Sequence, residues 1–145
     1  MTISAESPAV ENHLKLIQDI ISRVATNSAN CKTWSMTLVS AIVVVVLERS
    51  RPDLLVSALL PVLLFFFLDS YYLSVERRLR AGFNDFVRKL HEDRLELQDL
   101  FVFQSEIGLR TRLKGIAVSA LSLAVWPFYT LLVGLLYLVS RRLGG

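Results

Sequence analysis

The sequence predicts an all-α membrane protein with three transmembrane helices, because three apolar runs interrupt an otherwise charged chain. Residues 53–73 and 115–140 each reach the roughly 20 apolar residues that a helix needs to cross a bilayer. A shorter run at 33–47 precedes them, and only the polar turn at 48–53 separates it from the second run. The first two runs are therefore expected to form a transmembrane hairpin over 33–73, to which the third run adds one helix.

The composition indicates one small unit. Of the 145 residues, 53% are hydrophobic, and they are concentrated in the three runs. The single cysteine, Cys31, excludes an intrachain disulfide. Residues 1–12 carry Glu6 and Glu11 but no Lys or Arg. Neither the apolar core of a signal peptide nor a cleavage site follows them. We therefore expect the N-terminus to be retained rather than removed as a signal peptide.

Residues 1–8 are expected to be disordered, and residues 9–32 to contain an amphipathic cytosolic helix. Ser7 and Pro8 are a typical N-cap and first helical residue. Apolar side chains then recur at helical spacing, namely Leu14, Ile17, Ile20, Ile21 and Val24. This face either packs on the protein's own cytosolic part or lies in the headgroup layer of the membrane.

The first span is short for a membrane helix. Residues 33–47 measure about 22 Å as a helix, against a hydrocarbon core of about 30 Å. Lys32 can extend its ammonium group to the headgroups and Trp34 suits the interface, so the span is expected to begin as early as Ala29. The β-branched run at 42–46 would suit a strand, but an isolated strand cannot cross lipid.

The second span contains Pro61, which predicts a kink, and a carboxylate, Asp69, near its end. A charge that faces lipid is costly, so Asp69 is expected to form an interfacial ion pair with Lys32 and Arg77. Residues 74–114 are expected to form a cytosolic helical segment. Its apolar stripe, which indicates that span two continues as one long helix, consists of Leu79, Phe83, Phe86, Val87 and Leu90.

The third run is longer than one membrane crossing requires. Residues 115–140 measure about 39 Å as one helix, so they must tilt, protrude or kink, and Trp126-Pro127 is the natural place for a kink. A re-entrant hairpin that turns there is the alternative. Residues 141–145 form a tail.

The distribution of basic residues predicts the orientation. The N-terminal segment and the 74–114 segment together hold twelve Lys and Arg residues, and the other side holds four. The first side is therefore expected to be cytoplasmic, in an inner membrane. Arg141 and Arg142 oppose this assignment and favour the re-entrant alternative. The net charge of +3 is thus related to membrane orientation, and no nucleic-acid partner is expected.

No motif predicts an enzyme, a cofactor or a metal. Two histidines and one cysteine give no zinc-binding spacing, and the six glycines are scattered rather than grouped in a phosphate loop. Four carboxylates alternate with basic residues and are interpreted as a solvated helical face rather than a metal site: Asp85, Glu92, Asp93 and Glu96.

Two basic clusters and a set of hydroxyl groups are the candidate functional residues. The clusters are Arg77, Arg78 and Arg80, and Arg110, Arg112 and Lys114. They either meet anionic headgroups or together form a pocket for an anionic ligand such as a signalling nucleotide. The hydroxyl groups are expected to form helix contacts or line a path, and they belong to Thr37, Ser40, Ser57, Ser119, Ser122, Tyr129 and Thr130.

Two patterns are similar to sequences of small bacterial membrane proteins. The first comprises Asn27-Ser28, Lys32, Trp34 and residues 37–41, and the second comprises residues 69–73 with Glu76-Arg77. Over roughly residues 13–90, the chain resembles the SLATT-like membrane effectors of defence islands. The resemblance implies an effector that impairs the host membrane when a sensor fires, and it carries over no catalytic or binding residue.

These observations lead to one expected function and one alternative. Three helices cannot enclose water, so a membrane effector of this size must form a homo-oligomer to permeabilise the inner membrane in antiphage defence. Its cytosolic part would receive the trigger from a soluble sensor protein or a signalling nucleotide. The alternative is a non-conducting membrane anchor or scaffold for a soluble partner. A solute transporter is disfavoured, because the runs lack charge pairs and repeats.

Overall fold

The computed structural model describes residues 7–49, 51–92, 94–96, 99–100 and 108–143. These residues form four α-helices and one 3-10 helix, and none of them lies in a strand. The elements are α1 (Pro8–Arg49), the 3-10 helix (Pro52–Ala58), α2 (Leu59–His91), α3 (Leu109–Ala120) and α4 (Trp126–Leu143). The predicted all-helical class is thereby confirmed for the described part of the chain. The expected disorder of residues 1–8 falls mostly outside the described residues.

Helix α1 is one continuous helix of 42 residues, about 63 Å long. It begins as expected, because the Ser7 carbonyl accepts hydrogen bonds from Val10 N at 3.0 Å and Glu11 N at 3.2 Å. The predicted amphipathic helix at 9–32 and the predicted first span from 33 are parts of this one helix. The polar residues 27–32 continue the helix because Ser28 and Cys31 are buried, and tertiary packing of one face stabilises a helix more than local propensity does.

A tight turn reverses the chain between α1 and α2. The Arg51 guanidinium donates two hydrogen bonds to the Asp53 carboxylate, at 2.9 and 2.8 Å, and the 3-10 helix follows. Pro61 is the third residue of α2, and the helical stretch changes from 3-10 to α-helix just before it, between Ala58 and Leu59. The predicted kink at Pro61 stays a prediction. Helix α2 then continues for 33 residues, as its apolar stripe indicates.

Two apolar clusters hold α1 against α2. The larger cluster lies near the turn and includes Val39, Val62 and Leu132, so it also receives α4. The smaller cluster lies at the far end of the pair, where Val10, Phe86 and Leu95 are buried together. The imidazole of His13 packs on the Phe86 ring with centroids 4.3 Å apart, and burial lowers the pKa of His13 below its usual range.

The C-terminal apolar run forms two helices, so the third span predicted over 115–140 is interrupted directly before the kink expected at Trp126-Pro127. Residues 121–125 form turns between α3 and α4. Pro127 explains the position of the break, since it has no N–H to donate to the carbonyl of residue 123 and its ring would clash with that carbonyl. The Ser122 hydroxyl accepts a hydrogen bond from Ala124 N at 3.4 Å within the turn.

Helix α4 runs antiparallel to α2. The Tyr129 hydroxyl hydrogen-bonds the Phe65 carbonyl, and α4 also contacts the 3-10 helix that precedes α2. Helix α3 packs beside α2, where the Cβ position of Gly115 faces Ser74. The re-entrant hairpin at Trp126-Pro127 stays a prediction.

The outside of the molecule is strongly apolar. Two helical stretches, Pro8–Arg49 and Asp53–His91, are long and apolar enough to cross a membrane. Their most apolar windows are only 22% and 33% buried in the structure, so most of this apolar surface faces outward. The core helix of a soluble protein buries such a surface, and a large exposed apolar patch marks contact with lipid or another protein. Both stretches are therefore candidate membrane spans.

We predict that Gly115→Ala destabilises the protein although alanine is the better helix former. A Cβ at position 115 would lie 2.8 Å from the buried Ser74 Oγ, which has little room to move. We expect a loss of about 1–2 kcal/mol in the free energy of unfolding, measured by thermal unfolding in detergent.

Gly82→Ala in α2 is the matched control, because no atom lies within 4 Å of its Cβ position. It should be neutral or stabilising by up to about 1 kcal/mol. Adding Ser74→Ala to Gly115→Ala should recover most of the loss. Equal stability of the Gly115 and Gly82 variants would contradict the close approach of α3 to α2.

Candidate functional site

Asp69 is a fully buried carboxylate between α1 and α2. The Ser28 hydroxyl donates a short hydrogen bond to Asp69 Oδ1, and Lys32 Nζ lies 2.6 Å from Asp69 Oδ2. The Asp69 side chain has 0% of its surface exposed, whereas the Lys32 side chain keeps 27%. Asp69 Oδ1 thus accepts a hydrogen bond. Asp69 Oδ2 has the Lys32 ammonium in ion-pair contact but no hydrogen bond of favourable geometry among the described residues.

The helical repeat of α1 explains this geometry. Ser28 and Lys32 are four residues apart, so they lie one above the other on the face that packs against α2. Because α1 and α2 are antiparallel, a single α2 residue can be reached from both positions. Asp69 occupies that place, and a slip by one helical turn would separate it from one of its partners.

Helix α4 joins the site through Tyr129. Its hydroxyl donates to the Phe65 carbonyl at 3.1 Å, one helical turn before Asp69, and lies within electrostatic range of the Asp69 carboxylate. The Tyr129 ring also meets the Phe66 ring edge-on, with centroids 5.4 Å apart. The carboxylate is thus enclosed by three helices rather than two.

Further buried hydroxyl groups lie on the neighbouring residues of α1 and α2. Ser70 Oγ donates to the Phe66 carbonyl at 2.7 Å. Ser35 Oγ is buried without a hydrogen-bond partner among the described residues, as is Ser119 Oγ on α3. We use the name polar layer for the set formed by Ser28, Lys32, Ser35, Asp69, Ser70 and Tyr129. This layer lies next to the apolar cluster near the turn.

The structure brings together only part of the predicted ion-pair group. Lys32 and Asp69 meet, but Arg77 does not join them. Arg77 Nη2 donates instead to Ser122 Oγ at 2.7 Å, in the turn between α3 and α4. Arg77 lies two helical turns beyond Asp69, and the close approach of α3 to α2 supplies a nearer acceptor.

The two basic clusters lie on the neighbouring helices α2 and α3. Arg80 is paired with Glu76 at 2.8 Å, and Arg78 is partly buried. The three basic side chains of α3 are exposed, and they are Arg110, Arg112 and Lys114. Since α3 packs beside α2, all six cations belong to the same end of this helix pair.

A cavity of about 500 Å³ lies between α1 and α2, on the far side of the polar layer from the turn. Its walls mix the apolar side chains of Ile21 and Phe83 with the amide groups of Gln18 and Asn84. The sequence did not predict this groove. Its residues come from two distant segments, 18–25 and 80–84, and only the packing of α1 on α2 makes them neighbours.

The remaining predicted hydroxyl residues divide into two groups. Thr37, Ser40, Ser57 and Thr130 are exposed on the outside of the helices, and Ser119 is buried. Thr37 Oγ1 donates to the Thr33 carbonyl and Thr130 Oγ1 to the Trp126 carbonyl, each at 2.9 Å. Their hydroxyl hydrogens are therefore satisfied within their own helices.

Ser28 is a residue of the Asp69 site to which the sequence assigned no role, although it belongs to the first of the two similar patterns. Its signal was its position, four residues before Lys32 and seven before Ser35, which places all three on the inner face of α1. Among the described residues, no three His, Cys, Asp or Glu side chains are grouped as metal ligands. Comparison with protein-family models, curated proteins and solved structures finds no match to this chain.

We predict that Asp69→Ala lowers stability strongly, because it leaves the Lys32 ammonium beside a buried apolar space. Removing one partner of a buried ion pair typically costs about 3–5 kcal/mol. Asp69→Asn should cost less, since it still accepts the hydrogen bond from Ser28. The measurement is thermal unfolding and monodisperse yield in detergent.

Two comparisons show whether the stability loss of Asp69→Ala arises from the broken ion pair or from lost packing alone. Lys32→Met combined with Asp69→Leu should recover most of the stability, because apolar replacements remove both desolvated charges together. Asp53→Ala, which breaks the exposed pair with Arg51, should change stability little. If Asp69→Ala behaves like Asp53→Ala, Asp69 is solvated rather than buried.

Proposed function

We propose that the protein is an effector of the bacterial inner membrane that assembles into homo-oligomers and permeabilises the membrane in antiphage defence. The observation that carries the proposal is the outward placement of Thr37, Ser40, Ser57 and Thr130 on otherwise apolar helix faces. Exposed side chains of this kind are available for contacts between copies or for lining a path there.

The placement of the charges supports a three-helix crossing. Lys32, Asp69 and Arg77 mark one boundary of the apolar zone. Arg51 and Asp53 mark the other, to which Arg141 and Arg142 at the end of α4 also belong. Helix α4 measures about 27 Å, close to the thickness of a hydrocarbon core of about 30 Å. In this arrangement α4 alone is the third span, and α3 lies outside the hydrocarbon.

The basic residues support a cytoplasmic location for the N-terminal half of α1, the C-terminal half of α2, and α3. These segments contain most of the Lys and Arg residues of the chain. The exposed cations of α3 then lie at the anionic cytoplasmic leaflet, where each contributes about 1 kcal/mol of attraction.

Permeation between copies follows from the packing inside one copy. Val39, Val62 and Leu132 fill the space between the helices near the turn, and each is at most 7% exposed. A single copy has no room for a column of water in this cluster. Water and ions therefore pass between copies rather than through the interior of one copy.

A trigger reaches the membrane through α1 and α2. Both helices run unbroken from the apolar zone into the proposed cytoplasmic part, so a displacement there moves their membrane segments. The partner that delivers it is a soluble sensor protein or a signalling nucleotide. The exposed cations Arg110, Arg112 and Lys114 suit the phosphate groups of a nucleotide.

The groove between α1 and α2 favours a second candidate function, a non-conducting membrane anchor for a soluble partner. Its volume of about 500 Å³ and its mixed walls suit side chains of another protein. The two candidates differ in whether activation changes the membrane potential.

We predict that position 93 is cytoplasmic and position 50 is external. Single cysteines at these positions, in a Cys31→Ser background, should react with an impermeant maleimide only after lysis at 93 and in intact spheroplasts at 50. A cysteine at 144 should react like the one at 50, because α4 crosses the membrane. External labelling at 93 would reverse the orientation, and labelling at 144 only after lysis would remove the third crossing.

We predict that activation dissipates the membrane potential and requires the cations of α3. A potential-sensitive dye reports on cells that express the protein with its native gene neighbours under phage challenge. Arg110→Glu with Arg112→Glu should abolish depolarisation while membrane insertion remains. Arg88→Glu with Arg94→Glu makes the same charge change on α2 and the residues that follow it, and should depolarise like the wild type. Protection without depolarisation would discard permeabilisation and leave the anchor.

A further inference from the structure

The outer face of α1 carries a regular line of exposed residues. Thr26, Asn30, Thr33, Thr37 and Ser40 follow one another at alternating steps of four and three residues, and all are exposed. This spacing averages 3.5 residues, the repeat at which two helices coil around each other. It lies opposite the face that packs on α2, so α2 leaves it uncovered.

The line is polar where its neighbours are apolar. The adjacent side chains of Trp34, Met36 and Leu38 are 58%, 50% and 42% exposed, as suits contact with lipid. The hydroxyl groups of Thr33 and Thr37 donate hydrogen bonds to backbone carbonyls of α1. The outer surface of these residues is therefore small and compact. Membrane helices approach one another most closely through such surfaces.

Asn30 adds a group that requires a partner. Its side chain is exposed and makes no hydrogen bond with any described residue. Asn30 occupies an a position of the heptad repeat. At this position, an asparagine of one helix faces the same asparagine of a parallel partner. Such a pair sets the register of two helices, and near the membrane boundary its amides have few other partners.

The charges that continue the line complement those of a second copy. Asp19 and Arg23 are the preceding positions of the same repeat, and both are exposed. They form no ion pair within the described residues, although Glu11 and Lys15, also four residues apart, lie 2.7 Å from each other. In a parallel pair, Asp19 of one helix lies one turn from Arg23 of the other, twice over by symmetry, and these attractions offset the repulsion between the two Asp19 side chains and between the two Arg23 side chains.

We propose that this outer face of α1 binds the same face of a second copy of the chain as a parallel helix pair. The inference rests on the proposed homo-oligomer and names the surface that forms it. Copies inserted with one orientation have parallel α1 helices, so one face serves both partners. Helix α1 then carries α2 on its inner face and its partner on its outer face.

Disulfide cross-linking in native membranes tests the proposal. Single cysteines at 33, 37 and 40, in a Cys31→Ser background, should form dimers under mild oxidation at least tenfold more than cysteines at 34, 38 and 45. The latter positions are also exposed on α1 but lie off the line. A cysteine at Leu63, 64% exposed on α2, controls for random collision.

Two further variants test the chemistry of the pairing. Asn30→Ala should lower cross-linking at position 37 at least fivefold. Asp19→Arg should lower it similarly through like charges, and adding Arg23→Asp should restore it, because the swap rebuilds the same attractions. Restoration also shows that the single variant still folds and inserts.

The outcomes separate this inference from the proposed function. Equal cross-linking at positions on and off the line, or no rescue by the charge swap, overturns the α1 pair. If the protein still depolarises cells in that case, the effector function stands and another surface assembles it. Cross-linking confined to 33, 37 and 40 without any depolarisation supports the pair and rejects the permeabilising function.

Discussion

The buried carboxylate of Asp69 is the constraint on which the arrangement of the helices depends. An ionised group enclosed by three helices is tolerated only where its oxygens have partners, and Ser28 and Lys32 supply them from consecutive turns of α1. The apolar clusters on either side would accept α1 and α2 in more than one register, since packed aliphatic side chains interchange with modest cost. The ion pair selects one register and thereby also sets where Tyr129 of α4 can dock.

In the C-terminal apolar run, a single proline divides the segment into two helices with different surroundings. Pro127 prevents a continuous helix, and Ser122 in the resulting turn receives the Arg77 guanidinium. Gly115 then lets α3 approach α2 beside Ser74. The outcome is a basic, exposed helix α3 beside the charged half of α2, followed by an apolar helix α4 against the larger cluster.

Continuity of α1 and α2 joins the two halves of the molecule mechanically. The groove near Phe83 and the cluster around Val39 are walls of the same two helices, with the polar layer between them. A rigid helix transmits a tilt or rotation along its whole length, whereas a flexible linker at residues 27–32 would absorb it. This design suits a protein that changes its assembly in response to a cytoplasmic signal.

The sequence by itself determined the helical class, the reversal of the chain at the polar turn, and the need of Asp69 for a cationic partner such as Lys32. These features depend on local composition and on the helical repeat, which are readable along one chain. Only the tertiary structure decided that residues 27–32 remain helical, that Ser28 completes the carboxylate site, that Arg77 turns to Ser122, and that α3 separates from α4. Each of these depends on which residues of different helices face one another, and that follows from the rotation and register of packed helices rather than from any local pattern.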